Sequence, residues 1–271
     1  MPVRKNSDIK VWQRRDRNTQ IAVWFAWLCG VAVFMYCWNF ISEKTTWFFV
    51  FDAPRIAGDI IGRSFPPRWS YMSELWLPLW DTINVATIGT ALAIVLAVPV
   101  AFLAARNTTP SRVFFRPIAL LIIVSSRSIN SLIWALLLVS IIGPGIFAGT
   151  VAIALRSIGF IAKLLYEAIE EIDQNQVEAV TATGASRAQI IAYGIIPQIL
   201  PAFAGITVFR WDINIRESTV LGLVGAGGIG LQLQSSLNVL AWPQVTVILS
   251  LILVAVLISE WVSAKVRHAI I

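Results

Sequence analysis

Histidine is almost missing from this sequence, and the gap narrows the chemistry open to it. The single histidine, His268, removes most nucleophile-base pairs and histidine metal sites. No G-x-x-x-x-G-K-[ST] loop occurs, so any ATP must be hydrolysed by a partner. Cysteine is down to Cys29 and Cys37, both in the first apolar run. They lie more than two helical turns apart, too far for a mutual disulfide, and read as small apolar fillers from which no redox compartment follows. Charge is scarce as well. Charged residues make up 13% of the chain against 57% hydrophobic ones, and mean hydropathy is +0.75. A soluble domain of ordinary composition does not look like this, so the chain belongs in a bilayer.

What is present is a series of long apolar runs. Residues 21–41 are long enough to cross a hydrocarbon core roughly 30 Å thick. A basic stretch precedes them and no small-residue cleavage site follows, so they read as a retained anchor rather than a signal peptide. Residues 42–81 mix charge, aromatics and the break FPPRW, and read as a linker with a short amphipathic run near 53–63 that is either plain loop or interfacial helix. Further spans are expected at 82–105, 115–142, 147–168, 198–220 and 244–262, giving six. The third exceeds a straight crossing, so tilt or a break near SSRSIN (125–130) is expected. The formal charge of +6 is spread among tails, loops and spans, which argues against a nucleic-acid surface. With the N-terminus inside, the tail, Arg106, Arg112, Arg116, Arg187, Lys265 and Arg267 fall on the cytoplasmic side, against Lys44, Arg55, Arg63 and Arg68 outside. The positive-inside rule therefore selects N-in, C-in. Trp47, Trp69, Trp76, Trp80 and Trp242 then form an outer aromatic belt.

Charges inside spans are costly and mark a pathway or a pair. Arg127 lies near the membrane midplane, with Asn130 and Ser131 at i+3 and i+4 on its face; a helix-helix contact and a polar path lining both fit. In RWDINIREST (210–219), Arg210, Asn214 and Glu217 share one face, and Asp212, Arg216 and Thr219 nearly the opposite one. Asp212 precedes Arg216 by four, so that pair can neutralise itself; structural pairing and substrate path are both open here. Arg156 is also mid-span, whereas Lys163 can snorkel beside Glu167. Arginine outnumbers carboxylate among these residues, so a path through them favours an anion. GAGGIG (225–230) satisfies G-x-G-x-x-G, yet it follows a span and no acidic residue stands about 20 positions on. Gly225, Gly227, Gly228 and Gly230 are better explained as a tight, closely packed periplasmic turn or gate.

Residues 178–197 (EAVTATGASRAQIIAYGIIP) place Glu178, Ala179, Gly184, Ala185 and Pro197 at the spacing of E-A-A, three residues, G, nine residues, I-x-L-P. That pattern resembles the cytoplasmic EAA loop of ABC-transporter permeases, with Val180 in place of the second alanine and Gly194 where isoleucine is usual. Together with RSINSLIWALLLVSIIGPGIFAG (127–149), EAIEEID (167–173) and RWDINIRESTVLGLVGAGGIG (210–230), it is similar to the permease of phosphonate-type ABC importers over roughly 82–268. The resemblance implies an all-α integral membrane chain of the type I importer permease fold in a bacterial inner membrane. It also implies a second permease chain, most simply a homodimer, two ATPase subunits docked on the cytoplasmic loops around 169–197, and a periplasmic or lipid-anchored binding protein that delivers an oxyanion. Substrates of that family include phosphonate, phosphite, hypophosphite and phosphate. No cofactor is expected in this chain, with ATP and magnesium held by the partner. Competing readings are a type I permease for another solute such as an amino acid, which shares the loop but not the arginine-rich span; a secondary transporter, which has no use for the loop; and a membrane enzyme, for which no nucleophile or metal cluster is evident.

Overall fold

The computed structural model describes residues 3–6, 9–12 and 17–270, and the tail arginines Arg14 and Arg15 lie outside them. The chain divides into two compact units, 1–62 and 63–271. In the first, β1 (Val3–Asn6) pairs antiparallel with β2 (Ile9–Trp12), and every other regular element among the described residues is helical. The expected first span extends at both ends into α1 (Arg17–Lys44). The linker is more ordered than expected: α2 runs over Trp47–Ser64 and tolerates Pro54 in its interior. The turn into it is held by Trp47, whose Nε1 donates to the Ser42 carbonyl at 3.2 Å and whose ring makes tilted contacts with Trp38 and Phe51.

The second unit opens with α3 (Met72–Ala104), which starts ten residues before the expected span. Glu74, Pro78 and Asp81 lower the hydropathy there without stopping the helix, and Thr82 Oγ1 donates to the Pro78 carbonyl at 2.9 Å. Then come α4 (Phe115–Ser128) and α5 (Ser131–Ile142), the two halves of the expected third span. They meet at 88°. The break falls in the polar stretch: Ile129 is extended, and Asn130 caps α5 by accepting from the Leu132 amide at 3.1 Å. Next follow α6 (Ile146–Glu170), the loop helices α7 (Gln174–Ala182) and α8 (Arg187–Gln189), α9 (Ile196–Leu221), α10 (Ile229–Asn238) and α11 (Trp242–Ile270). Among the described residues five segments are long and apolar enough to cross a membrane, and six if the bent α4–α5 pair counts as one span.

Small residues set the packing. In lipid the hydrophobic effect does not drive helices together, so close backbone approach and polar contacts must. Ala86, Gly89, Ala93, Ala97, Ala101 and Ala104 form a buried stripe along α3. A Cβ on Gly89 would lie 2.8 Å from Ile153 Cγ2, which brings α3 hard against α6. On the other side of α6, a Cβ on Gly159 would lie 2.6 Å from the Ile123 carbonyl oxygen, so α4 crosses just as tightly. Ser126 seals that crossing: its Oγ donates to the Leu155 carbonyl and accepts from the Gly159 amide. Leu75, Ile229, Val247 and Ile248 make a separate apolar core joining α3, α10 and α11.

Candidate functional site

The tight α4–α6 crossing carries the α4–α5 break to Arg156. Its Nη1 donates to the carbonyls of Arg127 at 3.2 Å and Ile129 at 3.1 Å, the last acceptors of a helix that has just ended. Next to it a cavity of about 370 Å³ is lined by Asn130, Ser131, Arg156, Arg216, Glu217 and apolar residues of α5 and α9. The N-terminal end of α5 forms one wall, so the positive end of a helix dipole faces the same space as two guanidinium groups.

α9 supplies the opposite wall and anchors it through buried polar contacts. Asn214, fully buried, donates from Nδ2 to Thr90 Oγ1 on α3 at 2.7 Å and to Ser157 Oγ on α6 at 3.1 Å. Arg210, one turn earlier and 3% exposed, donates from Nε to the same Ser157 at 2.9 Å. Its guanidinium lies over the Phe160 ring at 5.2 Å and pairs with Glu217 Oε2 at 3.3 Å. The other Glu217 oxygen sits 3.9 Å from Arg156 Nε. Asp212 pairs with Arg216 and accepts from Ser259 Oγ on α11 at 2.7 Å. The expected faces of α9 therefore appear as two ion-paired groups, and each also ties α9 to a neighbour. Arg127 stands apart: its side chain is exposed and does not line the cavity. Lys163 pairs with Glu167 one turn along α6.

Thr90, Ser157, Phe160 and Ser259 were not anticipated. A lone hydroxyl or ring in an apolar span gives no periodic signal, and only the arginine-rich sequence of α9 hinted that partners were needed.

A second candidate region is the loop from α6 to α9. Asp173 caps α7 through the Asn175 amide, and its own amide donates to Gln198 Oε1 at 3.0 Å, tying the start of the loop to α9. Gly184 turns the chain at φ +79, a left-handed conformation suited to glycine. Ser186 and Gln189 then form a capping box for α8, and Pro197 falls at the start of α9. Glu178 and Ala179 are exposed on α7. Ala179, Val180, Thr183, Gly184, Ala185, Gln189 and Tyr193 line an open, shallow depression of about 650 Å³. Where the loop leaves α6, Glu170 accepts from the Arg106 amide at 2.9 Å and lies 3.7 Å from Arg116, joining the loop to the α3–α4 connection.

The glycine string is a tight turn. Gly225, Gly227 and Gly228 have φ of +88, +80 and +73. A Cβ on Gly230 would fall 1.9 Å from the Thr219 carbonyl oxygen. The Ile229 amide donates to Thr82 Oγ1 at 2.8 Å and the Gly145 amide to the Gly225 carbonyl at 3.0 Å, so the turn is bound to both α3 and the α5–α6 connection.

Comparison with known proteins agrees with this architecture. Residues 64–268 match the family described as binding-protein-dependent transport system inner membrane component. The chain is 37% identical over 249 residues to the phosphite transport system permease protein PtxC of Stutzerimonas stutzeri, covering 92% of this chain and 87% of that one. It is 37% identical over 212 residues to the phosphate-import permease protein PhnE of Mycolicibacterium smegmatis, covering 78% of this chain and 40% of that one. Among solved structures, an inward-facing form of the MetNI methionine ABC transporter superposes with TM-score 0.64 at 21% identity, over 75% of this chain and 99% of that one. The chain belongs to the binding-protein-dependent transport system inner membrane components, and is a non-catalytic, multi-pass permease subunit of an ABC importer with the type I fold.

Proposed function

We propose that this permease carries a phosphorus oxyanion of the phosphonate, phosphite, hypophosphite or phosphate class. The cavity beside the α4–α5 break carries the reading, because Arg156, Arg216 and the N-terminal end of α5 converge on it. With Arg210 they outnumber the carboxylates Asp212 and Glu217, leaving a net positive site in a low-dielectric bundle where an anion is the favoured occupant. The phosphite and phosphate relatives point the same way. The likeness to methionine permeases is weaker: 34% identity to MetP of Bacillus subtilis holds over only 113 residues, 38% of this chain, and the solved MetNI structure, at 21% identity, speaks only for the fold.

The complete importer in this reading has two copies of the chain, two ATPases that bind ATP and magnesium, and a binding protein, with N- and C-termini in the cytoplasm. Arg127, exposed on a spanning segment, supports the second copy: a charge facing hydrocarbon is costly, whereas one facing an aqueous path between two chains is not. The concave loop around Ala179, Gly184, Ala185 and Tyr193 is the ATPase dock. Closure of the ATPases moves that loop, and the spans turn outward to accept substrate beneath the glycine turn at 225–230, which acts as the gate.

The test is ATP hydrolysis by the reconstituted complex with its ATPase and binding protein, against methylphosphonate, phosphite, hypophosphite, phosphate and methionine. Stimulation by a phosphorus oxyanion, lost when Ala179→Trp fills the loop, is expected. Stimulation by methionine alone would overturn the substrate and leave the fold intact.

A further inference from the structure

Glu217 is the one carboxylate on the wall of an otherwise cationic cavity. A site that serves only to attract an oxyanion gains nothing from a fixed negative charge, because like charges placed together repel. Its geometry is also asymmetric. Oε2 lies 3.3 Å from Nη2 of Arg210, within hydrogen-bonding distance, and Arg210 is locked in place by Ser157 and the Phe160 ring. Oε1 lies 3.9 Å from Arg156 Nε, too far for a hydrogen bond, and that Nε is buried with no hydrogen-bond partner among the described residues. Arg156 meanwhile keeps its grip on the α4–α5 break through Nη1. One end of the carboxylate is held and the other is only loosely engaged. Arg156 itself lines the cavity, and a turn of its guanidinium is what brings the buried, unused donor to it.

We infer that Glu217 is a resident counter-anion that occupies Arg156 while the site is empty and yields it to the substrate oxyanion. The inference rests on the oxyanion reading above and assigns a role within the same site. Arriving oxyanion takes the Nε–H of Arg156, and Glu217 turns fully to Arg210, whose buried charge it continues to balance. When the oxyanion leaves, the carboxylate returns. The exchange keeps Arg156 from standing unpaired in the bundle in either state, and it weakens oxyanion binding by competition. A transporter needs that weakness, since what is bound too tightly is not released. The loose contact falls at the residue that also clamps the helix break, so substrate arrival is communicated to α4 and α5 through a single guanidinium.

The experiment is equilibrium binding of radiolabelled phosphite to the permease–ATPase complex in nanodiscs, alongside phosphite-stimulated ATP hydrolysis by the complete importer. Glu217→Gln removes the competitor, so phosphite should bind at least about tenfold tighter while uptake per ATP hydrolysed falls. A merely structural Glu217 gives the opposite sign, since its loss disturbs Arg156 and Arg210 and weakens binding. Glu217→Asp retains the charge that balances Arg210 but draws it back from Arg156. It should tighten binding by a smaller factor, and it decides the matter if Glu217→Gln cannot be purified. Arg156→Gln should abolish the tightening in either background. Unchanged or weaker phosphite binding in the Glu217 variants, with the parent importer still stimulated by phosphite, overturns the inference alone. A parent importer stimulated by methionine and by no phosphorus oxyanion overturns the substrate reading and this inference with it.

Discussion

Val180 and Gly194 face each other across the loop: a Cβ placed on Gly194 would lie 3.8 Å from Val180 Cγ2 and 3.6 Å from the Val177 Cα. These are also the two positions where the loop departs from the usual pattern, one residue larger and the other smaller than expected. The volume lost at 194 is regained at 180. A methyl group fits there at ordinary contact distance, so Gly194→Ala should be neutral or slightly stabilising. Gly194→Ile adds atoms that have nowhere to go and should cost about 1–3 kcal/mol. Val180→Ala in the same chain should recover most of that loss. Thermal unfolding of the four chains in a double-mutant cycle measures the coupling, and purely additive effects would show that the two departures are unrelated.

Both departures were visible in the sequence, but their contact was not, because fourteen positions and a left-handed glycine separate them. Much else was legible for definite reasons. The 100° advance per residue placed Arg210 with Glu217 and left Asp212 to Arg216, and both pairs form. The polar stretch 125–130 located the break, since only there does an apolar run offer a residue able to cap a new helix. What stayed hidden was of two kinds. Glu74, Pro78 and Asp81 masked the first turns of α3, because hydropathy measures affinity for lipid rather than helical order. Ser157 and Ser259 were silent because each matters only through a partner 53 or 47 positions away.

Asn214 should behave as a structural joint rather than a substrate contact. It is fully buried, and its amide holds α3 and α6 together through Thr90 and Ser157. Interhelical hydrogen bonds of this sort contribute about 0.5–2 kcal/mol in membranes. Asn214→Ala should therefore lower the unfolding temperature of the complex and leave the substrate concentration for half-maximal ATPase stimulation unchanged. A selective change in that concentration, with stability intact, would place Asn214 on the path instead.

Two glycines predict opposite kinds of damage. Gly184 has open space around it and a φ of +79, so its constraint is conformational alone. Gly184→Asn should be nearly silent, and Gly184→Val should cost about 1–2 kcal/mol from the left-handed backbone. Gly230 has the reverse problem, because a Cβ there would sit 1.9 Å from the Thr219 carbonyl oxygen and 2.8 Å from the Gly222 Cα. Backbone must move to admit even one methyl. Gly230→Ala should sharply reduce the amount of folded chain recovered from membranes, whereas Gly184→Ala should not.

Arg216 has two possible claims on it, and a charge-pair series separates them. Its guanidinium lines the cavity and also pairs with Asp212, whose other oxygen accepts from Ser259 at 2.7 Å. Arg216→Gln leaves Asp212, buried between α9 and α11, with the serine alone, and an under-satisfied buried acceptor costs about 1–3 kcal/mol. Asp212→Asn keeps an acceptor for Ser259 and frees the arginine, making the cavity more positive. Phosphite should then stimulate ATP hydrolysis at lower concentration. The double variant Asp212→Asn, Arg216→Gln has no charge to satisfy, so the thermal stability lost in Arg216→Gln should return. If the arginine also contacts the oxyanion, stimulation does not return with it, because an amide at 216 cannot replace a guanidinium charge. Recovery of both stability and stimulation would reduce Arg216 to a counter-ion for Asp212, leaving Arg156 and the end of α5 to hold the substrate.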